Sequence, residues 1–243
     1  MRYFTKILGA TFIAIASLTT TAFAQGPAAP VAPKQSDHDA VVGRLAVGYL
    51  GASQVAVGAQ DGAVVQAPVV GVRYWIDEML GLDLGLGFGM TSGSSKETLP
   101  NQPSETVDDP SFMSVIAHVG VPLSFSQGEH YSFQIVPEAN VGFGSGEQKP
   151  LDPENDPKLE HSGFRLDIGA RAGAELHFGF IGVPELSLQG SVGLQFVTAS
   201  VKTEAKLNDQ TAKYESSGSR IGTTVHDNPW NIFTTNVAAL YYF

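Results

Sequence analysis

The chain has no cysteine. This excludes a disulfide framework, thiolate metal sites and a lipoprotein anchor. Beyond Gln25 there is no run of the roughly 18 apolar residues that a membrane-crossing helix needs. Positive charge is scarce: 14 Lys and Arg stand against 24 Asp and Glu, a formal net charge of −10. An acidic chain without a basic cluster is a poor nucleic-acid binder. Lysine is absent from every segment that reads as the core of a strand. After Lys6 it occurs at Lys34, Lys96, Lys149, Lys158, Lys202, Lys206 and Lys213, all in stretches that read as leader or loop. Strands with one face in water would carry lysine freely.

The first 24 residues read as a cleaved secretory signal. Arg2 and Lys6 precede an uncharged stretch from Ile7 to Leu18, and Ala22-Phe23-Ala24 offers a small-x-small cleavage site before Gln25. Residues 25 to 40, rich in Pro and Ala, read as an extended periplasmic leader. The rest, 41 to 243, is the length of one domain.

What fills that domain is alternation. Leu80, Leu82, Leu84, Leu86, Phe88 and Met90 share one face, and Gly81, Asp83, Gly85, Gly87 and Gly89 share the other. A helix would scatter these leucines; a strand lines them up. The pattern recurs in Val41 to Ser53, Ala67 to Ile76, Phe112 to Phe125, Tyr131 to Gly144, Gly163 to Phe178, Leu186 to Phe196 and Trp230 to Phe243. Including Leu80 to Met90, that predicts eight strands. Connections alternate as well. Gln54 to Gln66, Ser92 to Pro110, Ser145 to Ser162 and Val197 to Pro229 are long, and those between them are short. Short turns on one side and long loops on the other suit a transmembrane up-and-down β-barrel.

The apolar face carries no charge in the strand cores, as hydrocarbon demands, since a charge there costs about 2–4 kcal/mol at mid-bilayer. The other face balances Arg44, Arg73, Arg165 and Arg171 against Asp83, Glu138, Asp167 and Glu175, with His118 and His177 among them. An enclosed interior needs that pairing. If Asp77-Glu78-Met79 is a three-residue turn, Arg73 lies opposite Asp83. If Ser126 to His130 is a five-residue turn, His118 lies opposite Glu138. Pro137 cannot donate to a ladder and predicts a bulge nearby. Aromatic residues such as Tyr74, Tyr131 and Phe133 at the short-turn end, and Phe88, Phe143 and Phe233 at the other, fall where interfacial girdles belong.

In this architecture the chain resembles the small Gram-negative outer-membrane barrels of the OmpA transmembrane-domain and OmpX type. Its ending, Val237-Ala238-Ala239-Leu240-Tyr241-Tyr242-Phe243, resembles the signal read by the barrel-assembly machinery, with Tyr241 and Phe243 as the recognised aromatics. The resemblance covers 41 to 243 and no family-specific motif falls inside it. The peptidoglycan-binding domain of full-length OmpA-type proteins is not expected after Phe243. The implied setting is a monomer in the cell outer membrane, among its lipid and lipopolysaccharide.

Candidate chemistry is sparse. Glu160-His161-Ser162 offers a base beside a nucleophile, but neighbours on an extended chain point to opposite faces, so no enzyme and no cofactor are expected. Asp152, Glu154 and Asp156 have spacing that a weak Ca²⁺ site could use, without the glycine and distal glutamate of an EF-hand loop. Two functional readings remain. One is a structural or adhesion-like surface role, non-enzymatic, with an interior plugged by the charge network and a surface ligand held by loop 197–229, where Thr198 to Ala205 reads as a β-rich fin. The other is a small porin-like channel through cavities left by the inward glycines.

Overall fold

The computed structural model describes residues 35–59, 62–97, 105–150, 156–208, 210–225 and 232–243. The expected signal segment, the first part of the leader and Asp152 and Glu154 lie outside them. The chain opens with a short helix, α1 (Asp37–Val41), then β1 (Leu45–Val57), β2 (Ala63–Trp75) and β3 (Gly81–Thr91). A small hairpin follows, β4 (Ser94–Glu97) and β5 (Glu105–Asp108). Next come β6 (Ser111–Gly120), β7 (Leu123–Gln127), β8 (Tyr131–Gln148) and β9 (Lys158–Phe178). After a 3-10 turn the chain continues as β10 (Val183–Leu207), β11 (Gln210–Thr223) and β12 (Val237–Tyr242).

Strands β1, β2, β3, β6, β8, β9, β10 and β12 pair antiparallel in that order, and β12 pairs back onto β1. The result is a closed ring of 8 strands, an antiparallel up-and-down β-barrel. Closure leaves no edge in the ring, which is how a barrel satisfies all its backbone groups. β6 and β7 build one wall together, interrupted at Val121 and Pro122.

Pro137 explains that interruption. Val121 N–H donates to the Pro137 carbonyl at 2.9 Å, but Pro137 has no N–H to return. The ladder to β6 therefore stops at Gly120–Glu138, while Pro137 stays in register with Ala170 of β9. The expected irregularity falls on the neighbouring strand instead. The register shift itself lies between Ser124 and Ser126 of β7.

That shift corrects one pairing. His118 stands opposite Asn140, and Gly120 opposite Glu138. The turn closes at Gly128, whose N–H donates to the Tyr131 carbonyl, tighter than a five-residue loop. The β7 irregularity then absorbs one residue, leaving β6 two residues from the expected register. The simpler β2–β3 turn keeps Arg73 opposite Asp83.

The strands outrun their expected bounds on the long-loop side. β10 continues to Leu207 and pairs there with both β9 and β11. Lysines accordingly do sit on strands: Lys96 on β4, Lys158 on β9, Lys202 and Lys206 on β10, Lys213 on β11. They occupy only the small hairpin and the extensions, beyond the apolar belt, where a charged head meets water.

The leader also differs from expectation. Its last residues form α1, closed by a capping box in which Ser36 and Asp39 bond each other's backbone. His38 and Val41 on this helix are buried.

A second difference concerns the β1–β2 hairpin, which continues as paired strand through Gln54–Val57 and Ala63–Gln66, where the alternation predicts a loop. Gly51 adopts φ +115°, and the register slips between Tyr49 and Gly51. That bulge reverses the facing of β1. Below it Leu45 and Val47 point outward; above it Val55 and Val57 are fully buried. The hairpin leans across the barrel mouth, and Gly58 N–H donates to the Ser162 carbonyl on β9 at 3.2 Å. Inward glycines make room for it. A Cβ on Gly142 would lie 2.7 Å from Val55, and one on Gly144 would collide with Val57. The glycines of β3 are filled likewise, by Val65, Val69 and Leu50. Buried valines, at about 1.5–3 kcal/mol each, thus fill the space beside inward glycines that the channel reading leaves open.

Candidate functional site

At the short-turn end the interior is a saturated polar cluster. Arg73 of β2 holds Asp83 of β3 with two bonds of 2.7 Å, from Nε and Nη2. Its Nη1 donates to Glu175 of β9 at 3.0 Å, and Nη2 also reaches Gln189 of β10 at 2.9 Å. Glu175 accepts from Ser187, from Gln134 at 2.6 Å and from the Tyr242 hydroxyl at 2.9 Å. Trp75 Nε1–H donates to that same hydroxyl at 3.0 Å. Arg73, Asp83 and Glu175 are all inaccessible to solvent. Charges so deep are tolerable only with this level of pairing.

α1 caps the cluster. His38 packs edge-on against Trp75 with ring centroids 4.4 Å apart, and Nε2–H meets the Glu78 carbonyl at 3.0 Å. His177 lies 6.0 Å from His38, with Nδ1 near the Pro184 carbonyl. Burial lowers the pKa of His38 from its ordinary value of 6.5, against the pull of Glu175. Asp37 secures the helix from outside, 2.7 Å from His130.

Above this floor Arg171 of β9 holds Glu138 of β8 through Nε at 2.8 Å and Nη2 at 2.7 Å, while Nη1 donates to Ser191. Arg165 Nε donates to Asp167 at 2.7 Å. His118 Nδ1 meets Asn140 Oδ1 at 2.8 Å. These groups border a cavity of about 440 Å³ between the polar floor and the leaning hairpin.

Arg44 departs from expectation. It precedes β1 at the rim, half-exposed, 3.7 Å from Glu185. The sequence reading also missed Trp75 and Ser187, whose inward parity could have found them; alternation puts Gln134, Gln189 and Tyr242 on the polar face, but pairing charges alone left them out of the cluster.

The third region is the extension. β8, β9 and β10 rise past the barrel, and β11 lies along β10 from Leu194–Thr223 to Leu207–Gln210. Lys158 bridges Glu147 at 3.1 Å and Glu160 at 3.5 Å, and Lys213 reaches Glu204 at 3.5 Å. β11 is exposed along nearly its whole length, and among the described residues its outer edge has no partner strand.

The motifs singled out for chemistry separate. His161 is buried beside Phe112, with Nδ1 3.0 Å from Thr203 Oγ1, while Ser162 faces out. They form no nucleophile–base pair. Of the acidic trio only Asp156 is described, and it is exposed. Among the described residues no cluster suits a metal ion.

The outward surface is apolar. Leu84, Leu86, Phe88, Ile168 and Leu194 are each about half exposed or more, while the charges lie within. Tyr241 and Phe243 project outward with ring centroids 5.2 Å apart, and Tyr242 between them points inward.

No protein-family model matches the chain. No curated protein matches it either. Among solved structures, the crystal structure of Ail, the attachment invasion locus protein of Yersinia pestis, is similar at 14% identity and a TM-score of 0.34. The likeness spans 82% of this chain and 97% of that one. At that distance nothing of its role or site residues is carried over.

Proposed function

We propose that this chain is an integral protein of the Gram-negative outer membrane, non-enzymatic, with a structural or surface-interaction role carried by its extension. One observation supports this above the rest: the solvent-excluded residues include Arg73, Asp83 and Glu175, while leucines and phenylalanines cover the outside. In water that distribution would be unstable; in hydrocarbon it is the stable one. Tyr241 and Phe243 then serve as the assembly signal. The extension stands on the long-loop side as a rigid platform, and its free strand edge is suited to pairing with an extended segment of a surface ligand.

Three measurements test this reading. Fractionated cells should carry the chain in the outer membrane, and its gel migration should change on boiling. Cells displaying the full chain should adhere to a host-cell surface to which cells without it do not. Removing residues 202–220 should abolish adhesion while heat-modifiable migration persists. Adhesion that survives this deletion defeats the surface role.

A small channel is the second reading, favoured by the interior cavity. The Arg73 cluster with α1 on one side and the buried valines on the other stand against it. Planar-bilayer recordings of the purified barrel should show no steady conductance; steady single channels would favour the pore.

A further inference from the structure

The interior cavity has features that neither a structural barrel nor a surface platform requires. Its walls carry two guanidinium groups and two carboxylates, a matched set. Two of the four are saturated. Arg171 uses Nε and Nη2 on Glu138 and Nη1 on Ser191. Asp167 receives Arg165 Nε on both oxygens, with Ser53 Oγ at 3.5 Å. The other two are not. Arg165 commits only Nε, so its Nη1 and Nη2 have no partner among the described residues. Glu138 engages through Oε2, leaving Oε1 in the same condition. None of these atoms is among the buried ones sealed from solvent.

The two uncommitted groups have opposite sign and different heights. Arg165 is level with Gly142, while Glu138 is level with Gly169. That is four residues along β9, about 13 Å of backbone at roughly 3.3 Å per residue, with long side chains reaching into the space between. A guest of net charge would enter a matched set and leave one charge uncompensated, which is costly away from bulk water. A guest carrying both charges satisfies both poles. Gly51 to Gln54 border the cavity together with Thr234 to Asn236, and Ala52 N–H donates to the Thr235 carbonyl there at 3.1 Å.

We propose that the cavity is a binding site for a small zwitterion. Its anionic end meets the Arg165 Nη groups and its cationic end meets Glu138 Oε1. The site is independent of the extension and of any adhesion.

The test uses the mature chain folded in detergent micelles, with folding verified by heat-modifiable migration. Three probes of one size are titrated by calorimetry and by NMR of the arginine side-chain N–H signals: 4-aminobutyrate, butyrate and butylammonium. The zwitterion should bind saturably, at least tenfold more tightly than either singly charged probe, and shift the Arg165 signal. Arg165→Gln and Glu138→Gln should each weaken it tenfold or more. Glu138→Gln also disturbs Arg171 and could impair folding, so Ser53→Phe, which fills the cavity and keeps all four charges, should abolish binding in a folded barrel. Saturable binding of none of the probes overturns the proposal. So does butyrate binding as well as the zwitterion, or full affinity in a folded Arg165→Gln or Ser53→Phe barrel.

Discussion

Arg73 is bonded to side chains from three other strands, so its removal has a cost that does not depend on lost contact area. Replacing it with Leu would leave Asp83 and Glu175 charged, buried and unpaired. Breaking a buried pair from one side costs about 3–5 kcal/mol. The expected result is a loss of that size in urea unfolding from lipid vesicles. Arg44→Gln should lose less than about 1 kcal/mol, because its 3.7 Å pair with Glu185 is open to solvent. His38 makes a second prediction, in pH. Burial lowers its pKa from 6.5, so the unfolded form binds the proton more readily than the folded one. The stability that depends on neutral His38 is whole above pH 6.5 and is lost as pH falls below it. Protonation would also place a hydrogen on Nδ1, which is buried without a partner among the described residues. His130 lies 2.7 Å from Asp37 of the same helix, so it is removed from the comparison. In a His130→Gln background, amide exchange in α1 should therefore accelerate below about pH 6.5, and His38→Phe should flatten the dependence. Equal exchange at pH 5 and pH 8 would contradict it. At this scale parity assigned faces well and partners poorly. Arg73 and Asp83 were legible because one short turn fixes their register, whereas Glu175 reaches Arg73 across the barrel and no local pattern carries that distance.

The β1–β2 hairpin is the element that gives the barrel its closed mouth. Its lean rests on the Gly51 bulge at one end and on glycines under its valines at the other. Gly144→Leu should displace Val57, costing about 1–3 kcal/mol as an overpacked core does. Protease should then cut between residues 58 and 62 faster than in the parent chain, as read by mass of the fragments. An unchanged cleavage rate would mean the hairpin does not sit on β8. The same element shows where the sequence stopped being legible. Alternation in β1 breaks at Gly51, and a break in period two looks like the start of a loop. The buried valines beyond it carried the right parity for an interior strand, but only after a reversal that the bulge alone explains. β11 was obscured for a different reason: it is exposed along nearly its whole length, so the apolar half of the pattern is missing although its pairing to β10 continues, whereas the fin read at Thr198 to Ala205 does lie on β10.

At the scale of the whole molecule the decisive property is depth along the barrel axis. Eight strands, their order and their alternation were readable from the sequence, because one apolar rule holds at every outward position at once. That rule has a measurable gradient. Leu84 and Ile168 project from the middle of the apolar belt, while Gln66 projects outward nearer the long-loop end. Arginine at Leu84 or Ile168 should cost about 2–4 kcal/mol in lipid vesicles, and at Gln66 about 0–1 kcal/mol. The measurement is urea titration followed by tryptophan fluorescence, with both ring systems of Trp75 and Trp230 as reporters. A barrel standing in water would show no such difference, because arginine on an exposed leucine there costs almost nothing and can improve solubility. Equal stability of Leu84→Arg and Gln66→Arg would remove the hydrocarbon from around this belt. The interior charges would then lose the reason for their seclusion, since a chain in water gains nothing by hiding Arg73 and displaying Leu86.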